Sequence, residues 1–395
     1  MTNQYFYSNF IVEFIISRDF VLLWIFQRYF FTGVDMNAEN KLYAKDCSLD
    51  NLKAVMALCI FAAHSTSCFR YIKTPQVISV SYYGSLMFCL TTVLSCFFFL
   101  SGYFSRLPDG QTFAAGYRLM VWKKIHSIMI PFLAWNSLYI AVFLIGGLFV
   151  PAVKQWSVTL ALNTPAGIID TLFGITHHPA DGPLWYLRNL FILSLLYPLF
   201  RRAAKSIGIF LPVGVFLILS AVNFCFEAPV YIRQYYLMPY STAAYCLGVV
   251  AREKNFSIDT FKKNMWLFIA VGFAATVCYF RIKGIVSREI QFVCENLFII
   301  SVLPMWMSLA RLFDWQKDSL CGRIITLPAF FIYASHFLCY SVFLHLTAMF
   351  IPSSSYLLLI LLGIYFCGGI VLMGTGYLML KKLFPRIFCL LTGNR

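Results

Sequence analysis

Charge is what this sequence has least of. Only 12% of its 395 residues are Asp, Glu, Lys or Arg, against about 25% in an ordinary soluble domain. A soluble fold would need charged faces on its outer helices, and the long apolar runs have none. Acid is scarcer still, with 16 Asp and Glu against 31 Lys and Arg. Ordered cysteine is missing too. The 13 cysteines are scattered, mostly inside apolar runs, with no C-x-x-C and no regular spacing, which argues against a disulfide framework. Cys59, Cys89, Cys96 and Cys367 read as small buried apolar groups. A cleavable signal peptide is not expected: the start, MTNQYFYSNF, lacks a basic region, and Glu13, Arg18, Asp19 and Arg28 interrupt the apolar stretch after it. No long Pro/Gly/Ser linker, low-complexity tract or repeat divides the chain. Soluble catalytic signatures are also absent, with no G-x-S-x-G, Walker loop, G-x-G-x-x-G or H-E-x-x-H. What survives is transport, membrane-embedded transfer chemistry or a receptor-like role.

What the sequence has is apolar length. Hydrophobic residues make up 60% of it, in runs close to the roughly 20 residues a membrane helix needs. Ten spans are expected, near 53–69, 79–103, 126–149, 184–200, 207–226, 235–250, 265–280, 290–310, 324–345 and 356–380. Backbone groups in lipid must be satisfied internally, so the spans should be helices. The expected fold is an all-α, polytopic integral membrane protein with about ten transmembrane helices. Basic residues orient it. With ten spans, 23 of the 31 Lys and Arg fall in the termini and in alternate loops, seven fall in the opposite loops, and Arg188 lies within a span. Both termini should therefore be cytoplasmic. The same placement turns the formal charge of +15 into an orientation signal, so no nucleic-acid partner is expected. One domain is read from 46 to 395, preceded by a segment, 1–45, whose charge-broken aromatic run suits an interfacial helix better than an eleventh span.

Ionisable groups inside spans are functional candidates. His64 lies deep in the first span, and Lys53 precedes it by close to three helical turns, so both project from nearly one face. A histidine beside a hydroxyl can act as general base; the alternative is a neutral inter-helix hydrogen bond with Lys53 snorkelling. Ser65, Thr66 and Ser67 suggest a polar lining. Ser101 and Gly102 end the second span, where close packing or exposed backbone donors are both open. Arg118, Lys123, Lys124 and His126 gather where the chain re-enters from the cytoplasm, as an orienting cluster or a phosphate site. Trp185 and Tyr186 fit an interfacial belt, while Arg188 needs water, a partner or a ligand. His336 sits mid-span beside Tyr333 and Ser335. His345 is expected at the outer interface. His177, His178 and Asp181 have metal-binding side chains, but adjacent histidines diverge and no third ligand is fixed, so no metal site is expected.

These residues carry a resemblance. The chain resembles the membrane-bound acyltransferase-3 family, bacterial O-acyltransferases of surface polysaccharides, over roughly 46–380. The matching pieces are LDNLKAVMALCIFAAHS, FFFLSGYF at 97–104, WKKIHSIMIPF, GPLWYLRNLFILSLL at 182–196 and FIYASHF at 331–337. The resemblance implies transfer of an acyl group, acetyl above all, from acyl-CoA to a hydroxyl of a glycan or lipid-linked saccharide. It implies acyl-CoA as a cytoplasmic co-substrate, no permanently bound cofactor, and a multi-pass protein of the bacterial plasma (inner) membrane, surrounded by its lipids. His64 would match the family's essential histidine, Lys53 its basic partner, and Lys124 the usual arginine before the I-x-P stretch. The sequence departs where the family often has a second arginine: here stand His126 and Ser127. The alternative from the buried histidines alone is a transporter or flippase for a glycan or small solute.

The topology is open to direct test. Single cysteines placed in 251–264 and 311–323, on a cysteine-depleted background, should react with reagents from the cytoplasmic side only. Labelling of both loops from the outside would overturn the orientation.

Overall fold

The computed structural model describes residues 47–65, 88–107, 110, 112–149, 164–225, 238–283, 285–313, 315, 319–349 and 355–393; for 47–49, 224–225, 288, 311, 341–349 and 355–359 it describes the backbone alone. The expected interfacial helix in 1–45, the residues Thr66 and Ser67, and the side chain of His345 lie outside what is described. Every regular element among the described residues is a helix, as the need to satisfy backbone groups internally dictates.

In chain order these are α1 (Cys47–Ser65), α2 (Leu94–Tyr103), α3 (Phe113–Lys124), α4 (Ile130–Phe149), α5 (Pro165–Phe173), α6 (Trp185–Leu195), α7 (Tyr197–Ile207), α8 (Phe210–Cys225), α9 (Pro239–Glu253), α10 (Thr260–Lys263), α11 (Met265–Ile282), α12 (Arg288–Ser301), α13 (Leu303–Leu309), α14 (Ala329–Met349), α15 (Ser355–Leu383) and α16 (Pro385–Thr392). Local sequence sets many of the boundaries. The hydroxyls of Thr112, Thr164 and Ser287 cap α3, α5 and α12, each taking up a backbone N–H that its helix leaves unpaired. Pro198, Pro304 and Pro385 stand in the first turns of α7, α13 and α16, where a missing N–H costs nothing.

Among the described residues, four helices are long and apolar enough to cross a membrane: Phe113–Phe149, Met265–Ile282, Glu289–Leu309 and Ile360–Leu383. A fifth arises if α7 and α8, bent by 120°, count as one. The first of these corrects a boundary. The stretch 104–125 was expected as a loop, yet Phe113–Phe149 is one continuous helical rod of 37 residues. At helical rise that is about 55 Å, far more than a hydrocarbon core of about 30 Å. Hydropathy marks where lipid ends, not where a helix ends, so the basic first part reads as loop although it is helical. Likewise the expected span 184–200 is two pieces, α6 and α7, broken at Leu196 ahead of Pro198.

The closest helix crossing joins α2 to α9. A Cβ on Gly102 would stand 2.1 Å from the Tyr245 carbonyl oxygen, and one on Gly248 would stand 2.0 Å from that of Phe99. The two helices thus meet backbone to backbone, each through a glycine, as small residues allow in a bilayer. Tyr103 Oη donates to the Phe256 carbonyl at 2.8 Å and Ser105 Oγ lies 3.0 Å from Tyr245 Oη, which fastens the same crossing. Of the two readings open at Ser101–Gly102, close packing is the one seen at Gly102. Elsewhere α1 lies against α14, α14 against α15, and α11 against α13. Large aromatic residues, among them Phe61, Phe98, Phe99, Phe132 and Trp135, fill the interior.

Because the obstacle at Gly248 is backbone, neighbours cannot step aside. Gly248→Leu should destabilise the protein by about 3 kcal/mol, read as a lowered Tm in detergent. Gly214→Ala, where nothing lies within 4 Å, should leave Tm unchanged or raised. Equal behaviour of the two variants would refute the contact.

Candidate active site

The contact between α1 and α14 brings two separate candidates together. His64, in the last turn of α1, is half-buried; His336, on α14, is fully buried. Their ring centroids are 5.1 Å apart, and the Phe337 ring lies 5.7 Å from that of His64. Phe61 and Tyr333 border the His336 ring at 6.2 and 5.9 Å. His336 Nδ1 is 2.5 Å from the Tyr333 carbonyl oxygen. A carbonyl only accepts, so Nδ1 carries the proton and the lone pair is on Nε2. Nε2 is buried and has no hydrogen-bond partner among the described residues. The arrangement is chemically simple: two imidazoles in contact, one with an unused lone pair, at a site walled by aromatic rings.

Neighbouring hydroxyls are less available than the sequence suggests. Ser65 Oγ donates to the Phe61 carbonyl at 2.7 Å and Ser335 Oγ to the Phe331 carbonyl at 2.7 Å. Tyr333 Oη donates to the Pro183 carbonyl at 2.5 Å. That last bond ties α14 to the loop before α6. Trp185 and Tyr186 come next, in α6, and are turned inward, 9% and 5% exposed. Tyr186 stands edge-on to Phe98 at 4.8 Å, and Trp185 is 6.4 Å from it. An interfacial belt was the expectation; the Tyr333–Pro183 tie instead draws the start of α6 into the core.

Arg188 finds its partners in backbone. Its Nη1 donates to the carbonyls of Phe173, at 3.3 Å, and Gly174, and its Nε lies 3.3 Å from Asn189 Oδ1. It sits on the carboxyl end of α5, where the helix dipole and unpaired carbonyls favour a cation. Gly174 is left-handed, with φ of 65°, and a Cβ there would meet Pro179 at 2.6 Å. Beside it, burial pushes the Asp170 carboxyl up, but bonds from Thr176 and His177 outweigh this and hold it at about 2. Burial first, and then the Arg188 charge, lowers His178, which favours its neutral form.

The basic set is divided. Lys53 pairs with Asp50 at 3.2 Å on an exposed surface. Arg118 and Lys123 are exposed and Lys124 is half-buried. At 100° per residue, α3 points these three about 100° or more apart, so they share a helix end rather than a face. His126 lies in a π-helical segment, Ile125–Met129, with Nδ1 3.0 Å from the Trp122 carbonyl and its ring 4.4 Å from that of Trp122. Ser101 stands at the glycine crossing, where its carbonyl accepts from Ser105 Oγ at 2.7 Å, apart from the histidine pair. Among the described residues, no group of three or more His, Cys, Asp or Glu is placed to hold a metal ion.

Two further residues belong to the site's outer wall. Asn136 of α4 is fully buried; its Oδ1 accepts from the Asp181 backbone N–H at 2.8 Å and its Nδ2 donates to the Phe132 carbonyl at 2.8 Å. Asp181 is 1% exposed. An Asn amid the apolar run PFLAWNSLY was the available signal for the first. The acid ahead of Gly-Pro at a span's start was the signal for the second, which the sequence suggested only as a metal ligand.

A family model described as an acyltransferase domain, Acyl_transf_3, matches residues 48–377. No curated protein and no solved structure matches the chain.

The Arg188 geometry makes a prediction. Arg188→Met should destabilise the protein by about 2 kcal/mol, the size of a lost charge-assisted bond to buried carbonyls. Hydrogen exchange across 164–174 should quicken, and Arg188→Lys should fall between. Unchanged exchange in the Met variant would show that the tie has no weight.

Proposed function

This chain belongs to the acyltransferase-3 family and is a membrane acyltransferase, and from that premise we propose that it moves an acyl group, acetyl above all, from acyl-CoA to a hydroxyl of a cell-surface glycan or lipid-linked sugar. The bacterial inner membrane, ten spans and cytoplasmic termini belong to the same reading, supported by the family and the charge asymmetry of the loops. The observation that carries the site is the contact between His64 and His336 at 5.1 Å, with a lone pair unused on His336.

The chemistry is built on that pair. His64 takes the proton of the acceptor hydroxyl as its oxygen attacks the thioester carbonyl. The carbonyl–sulfur bond breaks, the ester forms, and the proton passes to the departing CoA thiolate. His336 is the neighbour able to receive a hydrogen bond from the His64 ring and so fix which nitrogen faces the hydroxyl. Lys53 and Lys124 hold the nucleotide phosphates at the cytoplasmic mouth, where charge is cheap; Arg118 and Lys123, which diverge from Lys124 around α3, and His126, turned onto Trp122, add positive charge to that helix end. Eleven residues separate Lys53 from His64, roughly 16 Å along the helix, a distance an extended pantetheine arm covers.

Purified protein with radiolabelled acetyl-CoA tests this. His64→Ala should lower transfer by about 10²–10⁴ with CoA binding and detergent Tm intact. Lys124→Ala should chiefly weaken donor binding, and the difference from wild type should shrink as salt is added, because salt screens the attraction that the wild type uses. A folded His64→Ala protein that keeps more than about a tenth of the wild-type rate would remove His64 as the base. Solute movement without CoA release would favour the transporter instead.

A further inference from the structure

A buried carboxyl, Asp181, opens the short segment that rests on the turn of α14 carrying His336. Asp181 is 1% exposed, and neither of its carboxyl oxygens has a hydrogen-bond partner among the described residues. Its backbone, by contrast, is pinned on several sides. The Asp181 N–H donates to Asn136 Oδ1 at 2.8 Å. The next residue, Gly182, faces the Phe337 ring, with an added Cβ 3.6 Å from it. Then the Pro183 carbonyl accepts from Tyr333 Oη at 2.5 Å. Residues 181–183 are thereby seated on the turn of α14 that carries His336, and Phe337 of that turn also touches His64.

A purely structural role does not account for this side chain. An apolar residue would fill the space without the cost of desolvating a carboxyl that no partner compensates. Burial raises the Asp181 carboxyl well above the usual range, which favours its neutral form. In either form its two oxygens match what a sugar offers, adjacent hydroxyls that both donate and accept.

Resting on the transferase reading, we propose that Asp181 binds the acceptor: its carboxyl holds acceptor hydroxyls and so positions the reacting one at the histidine pair. The occupant is a polyhydroxylated acceptor approaching from the α5–α6 side. The acyl-CoA does not meet Asp181.

The test uses the full-length protein in a sugar-free zwitterionic detergent, radiolabelled acetyl-CoA, and p-nitrophenyl glycosides of glucose, galactose, mannose and rhamnose as acceptor probes. Asp181→Asn should raise the acceptor KM about tenfold, and Asp181→Leu further. The donor KM should stay within about twofold. Both variants should keep or raise Tm, since an unpartnered buried carboxyl is being removed. An unchanged acceptor KM, equal losses on donor and acceptor, a lowered Tm or a failure to fold would each overturn the proposal. A wild type that transfers to none of the probes would sink the transferase reading, and this inference with it. An active wild type beside indifferent Asp181 variants would sink this inference alone.

Discussion

A polar side chain inside hydrocarbon has no water to turn to, so each must be answered within the protein. Most of them here are answered locally. Ser65, Ser105, Asn136, Ser194 and Ser335 each donate to the carbonyl four residues back on their own chain. Arg188 is answered across elements, by the carbonyls that end α5. Against that habit, an unanswered group stands out. Asp181 and His336 Nε2 are two such groups, both at the meeting of α14 with its neighbours; the Ser220 hydroxyl is another, at the smaller cost a neutral group carries. A site that must bind a polar substrate cannot satisfy its own donors and acceptors first.

Two π-helical segments, Ile125–Met129 and Gly322–Thr326, set the register on either side of this site. A π turn adds a residue to the helix and re-aims the turns beyond it. The C-terminal part of the chain closes over both. A Cβ on Gly374 of α15 would lie 2.6 Å from the Ile324 carbonyl, and one on Gly393, just past α16, 2.9 Å from that of His126. Trp135 Nε1 donates to the Leu391 carbonyl at 3.0 Å, securing α16 on α4. Asn51, at the start of α1, reaches Thr326 at 2.9 Å, so α1 is anchored on the second π segment. The position of His64 at the far end of α1 thus depends on contacts made near Lys53.

Much of this was legible in the sequence because hydrocarbon makes polar residues conspicuous. His64, Arg188 and His336 could be named one by one, and the helical class is implied by the apolar runs. Their partners could not be named. That His64 meets His336 depends on α1 lying against α14, and their sequence positions, 272 residues apart, do not encode it. Arg188 could be seen to need a partner, but helix-end carbonyls carry no residue-type signal. Asp181 was hidden for a different reason. Its distinction is an absence of bonds, and absence is visible only when all neighbours are placed. The cations of α3 were conspicuous by type, yet their divergence around the helix depends on its continuing past Phe113, which hydropathy does not report.

On the proposed reading, Lys53 and His64 serve one reaction from different surroundings. Lys53 holds Asp50 in an exposed ion pair, worth about 0–1 kcal/mol in water. A phosphate arriving at that mouth faces little competition, because the pair it displaces is weak and Asp50 can return to solvent. His64 lies roughly 16 Å further along the same helix, beside the rings of His336 and Phe337. On the proposed reading it takes the hydroxyl proton there and passes it to the leaving thiolate. A base placed at the mouth would be charged by solvent, and a cation placed at the depth of His64 would demand a permanent counter-ion. On that reading one helix separates the two tasks by its length.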